Sequence, residues 1–234
     1  MRIALVMLFW IVASPQDPIA GWLLFERSVR DQTIPKEAAK KQFPSLFKAL
    51  KDFCGKHPFD KNASWVFPVQ GYGIRDMGTG GFKPDARYGS SPIKGYDFFD
   101  GNRHGGHPAY DIFIHDRNQD TLDDGSGMPV AILAPVDLLI LSVEKDWQPN
   151  SGIRGGRYIW ALDPLQDRIF YFAHLNEVRT SGGAFCRAGS IIGAVGRTGM
   201  NAAPARSPTH LHFMVLAVKG NALIPLDYRP YLRK

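Results

Sequence analysis

The feature that most constrains this chain is a succession of short apolar runs beginning near residue 65. They read "YDIFI" (110–114), "PVAILAPV" (129–136), "LLILSVE" (138–144), "GRYIWAL" (156–162), "DRIFYFAHL" (167–175), "GSIIGAVG" (189–196) and "HLHFMVLAV" (210–218). Each is strand-length, rich in β-branched and aromatic residues, and bounded by Gly, Pro, Asn or Asp. Helical spacing is scarce across this region and no internal repeat is visible. The expectation is a mainly β, antiparallel domain of sandwich or barrel-like type. Ahead of it, "PKEAAKKQFPSLFKALKDFCGK" (35–56) places Phe43, Leu46, Phe47, Leu50 and Phe53 three and four apart, which predicts a short helical preface. Pro44 is expected to split that run into two short helices.

The start of the chain carries a different signal. Arg2 precedes an apolar run from Ile3 to Ala13. A bilayer span needs about 20 apolar residues, so this shorter run matches the core of an export signal, with cleavage expected after Ala13 or Ser14. The alternative is an uncleaved, membrane-tethered start, to which "IAGWLLF" (19–25) would contribute. The expected organisation is therefore residues 1–20 as signal peptide or N-terminal anchor, 21–64 as helical preface and 65–234 as the β domain.

With 234 residues and 44% hydrophobic content the chain can bury a sizeable core. Its net charge of +6 is spread along the sequence rather than gathered in one arm, which argues against a nucleic-acid partner. Anionic cell-surface polymers suit an exported basic protein better. Cys54 and Cys186 are the only cysteines. An oxidising compartment permits one bridge between them, and two free thiols fit the sequence equally well. Neither a C-x-x-C motif nor zinc-finger spacing occurs.

Two of the apolar runs carry histidines and a third is flanked by them. In "SPTHLHFMV" (207–215), His210 and His212 flank Leu211 at the start of a strand. Side chains two apart on a strand share a face, roughly 6.5–7 Å apart at the backbone, so both imidazoles point one way. In "HGGHPAYDIFIHD" (104–116), His107 and Asp111 stand four apart, with glycines just ahead of His107. A histidine and a carboxylate at short spacing, joined by a histidine from another strand, form a His2Asp set. Three protein ligands with one open position is the catalytic zinc pattern, and mixed N/O ligands suit zinc among the divalent metals. His174 ends the strand "YFAHL" (171–175). His115 shares strand parity with Asp111 and is read as a surface or supporting residue; His57 and His104 are read as structural. "GAVGRTG" (193–199) lacks phosphate-loop spacing and reads as a turn between strands. In "DRNQDTLDDG" (116–125), Asp116, Asn118, Asp120 and Asp124 match positions 1, 3, 5 and 9 of a calcium loop. Thr121 stands where glycine belongs and the closing glutamate is missing, so an acidic turn is the better reading than a weak Ca2+ site.

In order, His-x3-Asp, Phe-Ala-His-Leu, Gly-Arg-Thr-Gly and His-Leu-His, the motifs resemble those of lysostaphin-type zinc metalloendopeptidases, the LytM-domain or duplicated hybrid motif family. The resemblance runs from about residue 65 to 218. It implies a LytM-type β domain, one zinc held by His107, Asp111 and His212, and catalytic roles on the substrate for His210 and His174. It also implies hydrolysis of peptide bonds in peptidoglycan stem peptides or cross-links by a zinc-activated water. The two catalytic roles, general base and oxyanion stabiliser, fall to His210 and His174 respectively, and are open to exchange. The sequence departs from the family at Pro108-Ala109-Tyr110, at the loop "MNAAPARSPT" and at Met214, which replaces a frequent glutamate. None of these removes a ligand. The competing expectation is a non-catalytic LytM-like module that regulates another wall hydrolase. Membrane contact is expected only through an uncleaved N-terminal segment, and the oligomeric state is not legible.

Overall fold

The computed structural model describes residues 17–55, 57–61, 64–78, 81–85, 89–92 and 95–232. The apolar run at 3–13 and its cleavage site lie outside the described residues. Two helices come first, α1 (Pro18–Arg30) and α2 (Lys36–Cys54). The strands follow as β1 (Phe82–Asp85), β2 (Gly89–Pro92), β3 (Tyr110–Phe113), β4 (Ala131–Leu133), β5 (Leu138–Glu144) and β6 (Arg157–Asp163). They continue as β7 (Arg168–Leu175), β8 (Glu177–Val178), β9 (Phe185–Cys186), β10 (Ile191–Ala194), β11 (His210–Lys219) and β12 (Ala222–Pro225).

Pairing among them is antiparallel throughout. The main sheet has seven strands, ordered β12-β11-β7-β6-β5-β9 with β3 also paired to β11. A second sheet runs β4-β10-β8, and β1-β2 form a separate pair. The fold is thus the expected mainly β architecture, built from open sheets and not from a closed barrel.

Both faces of the main sheet are covered. On one, Ile140, Ile159, Phe170, Phe172 and Phe213 pack with Ile132 and Ile192 of the small sheet. On the other, Leu141, Trp160, Leu162, Ile169 and Leu216 pack with Trp22 and Phe25 of α1 and Phe43 and Leu50 of α2. Double coverage explains why β5 and β6 read as nearly continuous apolar runs without polar alternation.

The helices are accordingly a layer of the fold. Asp17 caps α1, its Oδ1 accepting the amides of Ile19 and Ala20 at 3.0 and 3.1 Å, and Pro18 occupies the first turn where its missing N–H costs nothing. Trp22, Phe25, Glu26 and Val29 then fall on the buried stripe. The indole Nε1 of Trp22 donates to Ser142 Oγ on β5 at 3.1 Å, tying helix to sheet. The segment 19–25 is thus core-packing helix, and among the described residues no helix is long and apolar enough to cross a membrane. Pro44 does not split the second run: α2 continues through it. A proline inside a helix forfeits one backbone hydrogen bond. Here Ala39 and Phe43 before it, and Leu46 and Leu50 after it, bury one continuous face whose packing offsets that loss. Cys54 and Cys186 are free thiols, the first pushed up to about 11 by burial.

Candidate metal centre

The site lies on the helix-bearing face of the main sheet, in a cavity also lined by Glu26, Val29 and Arg30 of α1. His212 of β11 is the direct cross-strand partner of Asp111 on β3, and His210 is that of Phe113. Cross-strand partners project from the same face. His210, His212 and Asp111 therefore share one surface, as the alternation of β11 requires. His107 arrives from the loop before β3, and its Nε2 lies 3.2 Å from Asp111 Oδ1. His212 Nδ1 lies 3.1 Å from the same oxygen and His210 Nε2 3.8 Å from it.

His174 joins them by an irregularity that strand parity does not show. Ala173 pairs with His212, so regular alternation would send His174 to the opposite face. Instead β7 carries one extra residue against β6: Phe172 pairs with Ile159 and Leu175 with Arg157. That is a β-bulge, and His174 sits in it at φ 67°. The left-handed conformation is unfavourable for a non-glycine residue and is held by its surroundings. The His174 amide donates to Gly155 O at 2.9 Å and its ring Nδ1 to Thr198 O at 2.8 Å. Thr198 in turn donates its hydroxyl to Leu175 O and accepts from the Arg157 amide, each at 2.8 Å. Gly156 (φ 69°) makes this approach possible: a Cβ there would stand 2.3 Å from Thr198. The turn "GAVGRTG" thus positions a histidine. The His174 ring ends 5.0 Å from that of His210 and 5.6 Å from that of His212.

The carbonyls fix two tautomers. His210 Nδ1 meets Pro208 O at 2.7 Å as His174 Nδ1 meets Thr198 O. A carbonyl only accepts, so in each neutral ring Nδ1 carries the hydrogen and Nε2 is left as a hydrogen-bond acceptor. Burial first, and then the neighbouring His212 and His210, push His174 down to about 3. Its surroundings thus favour the neutral ring.

Electrostatics prepare the other three side chains for a cation. Burial alone would raise the Asp111 carboxyl, but hydrogen bonds from His107 and His212 and the imidazoles around it hold it far below the usual carboxylate range. His107 is raised, chiefly by its bond to Asp111 and against burial; His212, more deeply placed, is lowered by burial despite the same carboxylate. Among the described residues, His107, Asp111 and His212 are the one group of three metal-ligating side chains whose donor atoms gather within 4.8 Å. Donor atoms of a tetrahedral zinc site with bonds of about 2.0–2.1 Å stand roughly 3.3 Å apart. The 3.1 and 3.2 Å separations fit that size, and the two-nitrogen, one-oxygen set fits that metal.

The other sequence candidates fall elsewhere. His115 is exposed, its amide held by the Tyr72 hydroxyl at 2.9 Å. His57 stacks on Phe185 at 3.5 Å between centroids, while His104 meets Tyr96 edge-on along the cavity beside the site. Asp116, Asn118, Asp120 and Asp124 form a hydrogen-bonded turn. Asp116 accepts the amides of Asp120 and Thr121 at 3.0 and 2.9 Å, and Asp124 accepts that of Arg117. Asp116 also accepts the hydroxyl of Thr209 at 2.5 Å, next to His210. Arg197 donates to Ser207 O at 2.6 Å and to Pro204 O at 3.0 Å, clamping the loop that enters β11. Sequence reasoning missed these supports and also Glu26, although a carboxylate inside the apolar stripe of α1 was a visible signal.

No protein-family model and no curated protein matches the chain. Solved structures do. The catalytic domain of the antimicrobial peptidase lysostaphin from Staphylococcus simulans is 22% identical, covering 68% of this chain and 92% of that one at a TM-score of 0.41. The structural likeness is to lysostaphin-type peptidases. A zinc-containing peptidase from Vibrio cholerae is 19% identical over 70% of this chain and 39% of its own, with a TM-score of 0.41. A putative M23 peptidase from Pseudomonas aeruginosa is 16% identical over 81% and 60%, with a TM-score of 0.42.

Proposed function

We propose that the chain is a zinc metalloendopeptidase of the lysostaphin type, hydrolysing peptide bonds of peptidoglycan in the cell envelope or outside the cell. The observation that carries this reading is the convergence of His107, Asp111 and His212 beside two further imidazoles on one wall of a cavity of about 380 Å³. A volume in that range accommodates a short peptide segment. His107, Asp111 and His212 would hold the metal. Zinc there supplies Lewis acidity, polarising a carbonyl and lowering the pKa of water.

The remaining chemistry falls to the two carbonyl-anchored imidazoles. Hydrolysis adds a water oxygen to the scissile carbonyl carbon, breaks the C–N bond and moves one water proton to the departing nitrogen. Nε2 of His210, placed 3.8 Å from Asp111 Oδ1, takes that proton and returns it to the leaving amine. His174, fixed by Thr198, takes the second role on the substrate, stabilising the oxyanion or exchanging roles with His210. Their Nδ1–H bonds to backbone carbonyls prevent the rings from turning away during the transfer. The net charge of +6 favours an anionic wall polymer as the substrate's carrier, and the apolar run at 3–13 supports export.

The test is zinc content together with turnover. The purified protein is expected to carry about one zinc per chain, to lose hydrolysis of peptidoglycan peptides on chelation and to regain it with zinc. Binding of wall fragments without any cleavage would identify a non-catalytic module instead. Full activity in metal-free protein would end the proposal.

A further inference from the structure

The cavity that holds the histidines also carries an arginine without a carboxylate partner. Arg154 lines it from the turn that leads into β6. Nη1 of Arg154 donates to Asn102 O at 2.9 Å and to His104 O at 3.1 Å. Both carbonyls belong to the loop that delivers His107. The next residue along, Gly155, accepts the His174 amide at 2.9 Å. Arg154 is thus anchored between the loop bearing a metal ligand and the turn that fixes His174.

The rest of its guanidinium is unused. Among the described residues, Nε and Nη2 of Arg154 have no hydrogen-bond partner, and neither is sealed from solvent. None of the ion pairs among those residues includes Arg154. The other charged groups of the cavity wall are engaged. Arg30 is held by Asp31 and Tyr158, Asp111 by His107 and His212, and Glu26 is buried against Tyr158. Nε and Nη2 form the edge of a guanidinium that matches the two oxygens of a carboxylate. Arg30 shows that pairing within this chain, its Nε and Nη2 reaching the two oxygens of Asp31 at 2.8 Å each. Arg154 presents the same edge, half-buried and unpaired, in the cavity of the metal ligands.

We infer that Arg154 forms a subsite for a carboxylate of the substrate, gripping it with Nε and Nη2 while Nη1 stays on the backbone. The peptide character of that substrate rests on the peptidase reading. A peptide offers a carboxylate from an acidic side chain or from its free carboxyl end. Held here, either one fixes which carbonyl of the peptide reaches the histidines.

Four tetrapeptides combine an internal glutamate or glutamine with a free or amidated carboxyl end. Each is titrated calorimetrically into zinc-loaded His210→Ala protein, in which turnover is suppressed, and into the same protein carrying Arg154→Gln or Arg154→Lys. One of the two carboxylates is expected to tighten binding at least about tenfold over its amide, and which one does so identifies the source. Arg154→Gln keeps a donor for the backbone carbonyls. It should abolish that preference while zinc content and affinity for the doubly amidated peptide stay unchanged. Arg154→Lys keeps the charge without the fork and should retain part of the preference. No preference for either carboxylate in the Arg154 protein overturns the subsite. So does a preference that survives Arg154→Gln, which would put the carboxylate on the metal. An equal loss for all four peptides overturns it too, leaving Arg154 as a structural tie alone. Turnover of the preferred peptide by the unmodified protein is read separately. Selective binding without cleavage keeps the subsite and sinks the peptidase reading; cleavage without selectivity does the reverse.

Discussion

Burying Glu26 has a consequence for stability that can be measured without any substrate. Burial is the largest influence on its carboxyl, opposed by Arg30 and the Tyr158 hydrogen bond, and it raises the pKa from an ordinary 4.5 to about 7. The folded protein therefore holds this proton more tightly than the unfolded chain does. Below about pH 4.5 both states are protonated and the site carries no penalty. Between pH 4.5 and 7 the unfolded chain ionises first, so stability falls as pH rises. Above pH 7 both are ionised and the loss is constant. Ionising a carboxyl that holds its proton to about pH 7 instead of 4.5 costs about 3 kcal/mol. Glu26→Gln keeps an acceptor for Tyr158 but removes the titration. Urea unfolding of both proteins, in the same metal state at pH 4 and pH 8, isolates the effect from every other ionisable group. The stability of Glu26→Gln relative to the parent should rise by about 3 kcal/mol between the two pH values. A difference that is independent of pH, or that grows toward acid, would refute the reasoning.

The two histidines of "HLH" should separate by metal content: His212→Ala is expected to be zinc-poor. His210→Ala should be zinc-loaded, folded and slower by about 10²–10⁴, the usual worth of a proton-transfer group; equal zinc loss in both variants would make both of them ligands. Trp22→Ala removes a fully buried indole and its bond to Ser142, and should cost about 3–5 kcal/mol in urea unfolding, whereas a loss under about 1 kcal/mol would mean the helices contribute little to the core.

The strands that build the site were legible because their apolar runs are long and strongly patterned. The run 138–144 coincides with β5, and β6, β7 and β11 fall within a residue of their runs. The shared face of His210 and His212 follows from alternation alone. His174 did not follow from it, since alternation points it away and only the bulge in β7 brings it back. Local spacing also misjudged the N-terminal region. Pro44 looked like a break because the packing against α2 comes from Phe99 and the sheet, which are distant in sequence. The run 19–25 looked like part of an anchor because nothing local shows that Ser142 and Trp160 wait to receive Trp22. Short strands such as β8, β9 and β12 depend on partners for their existence and carry little signal of their own.

Peptidase action by the His107–Asp111–His212 centre is tested most directly by mass spectrometry of purified peptidoglycan after incubation with three samples: zinc-loaded protein, the same protein after chelation, and Asp111→Ala. The zinc-loaded protein alone should release fragments with new amino and carboxyl ends at one peptide bond, and Asp111→Ala should lose its zinc and its cleavage together. Intact peptidoglycan in all three samples, or identical fragments from the chelated protein and Asp111→Ala, would contradict the account.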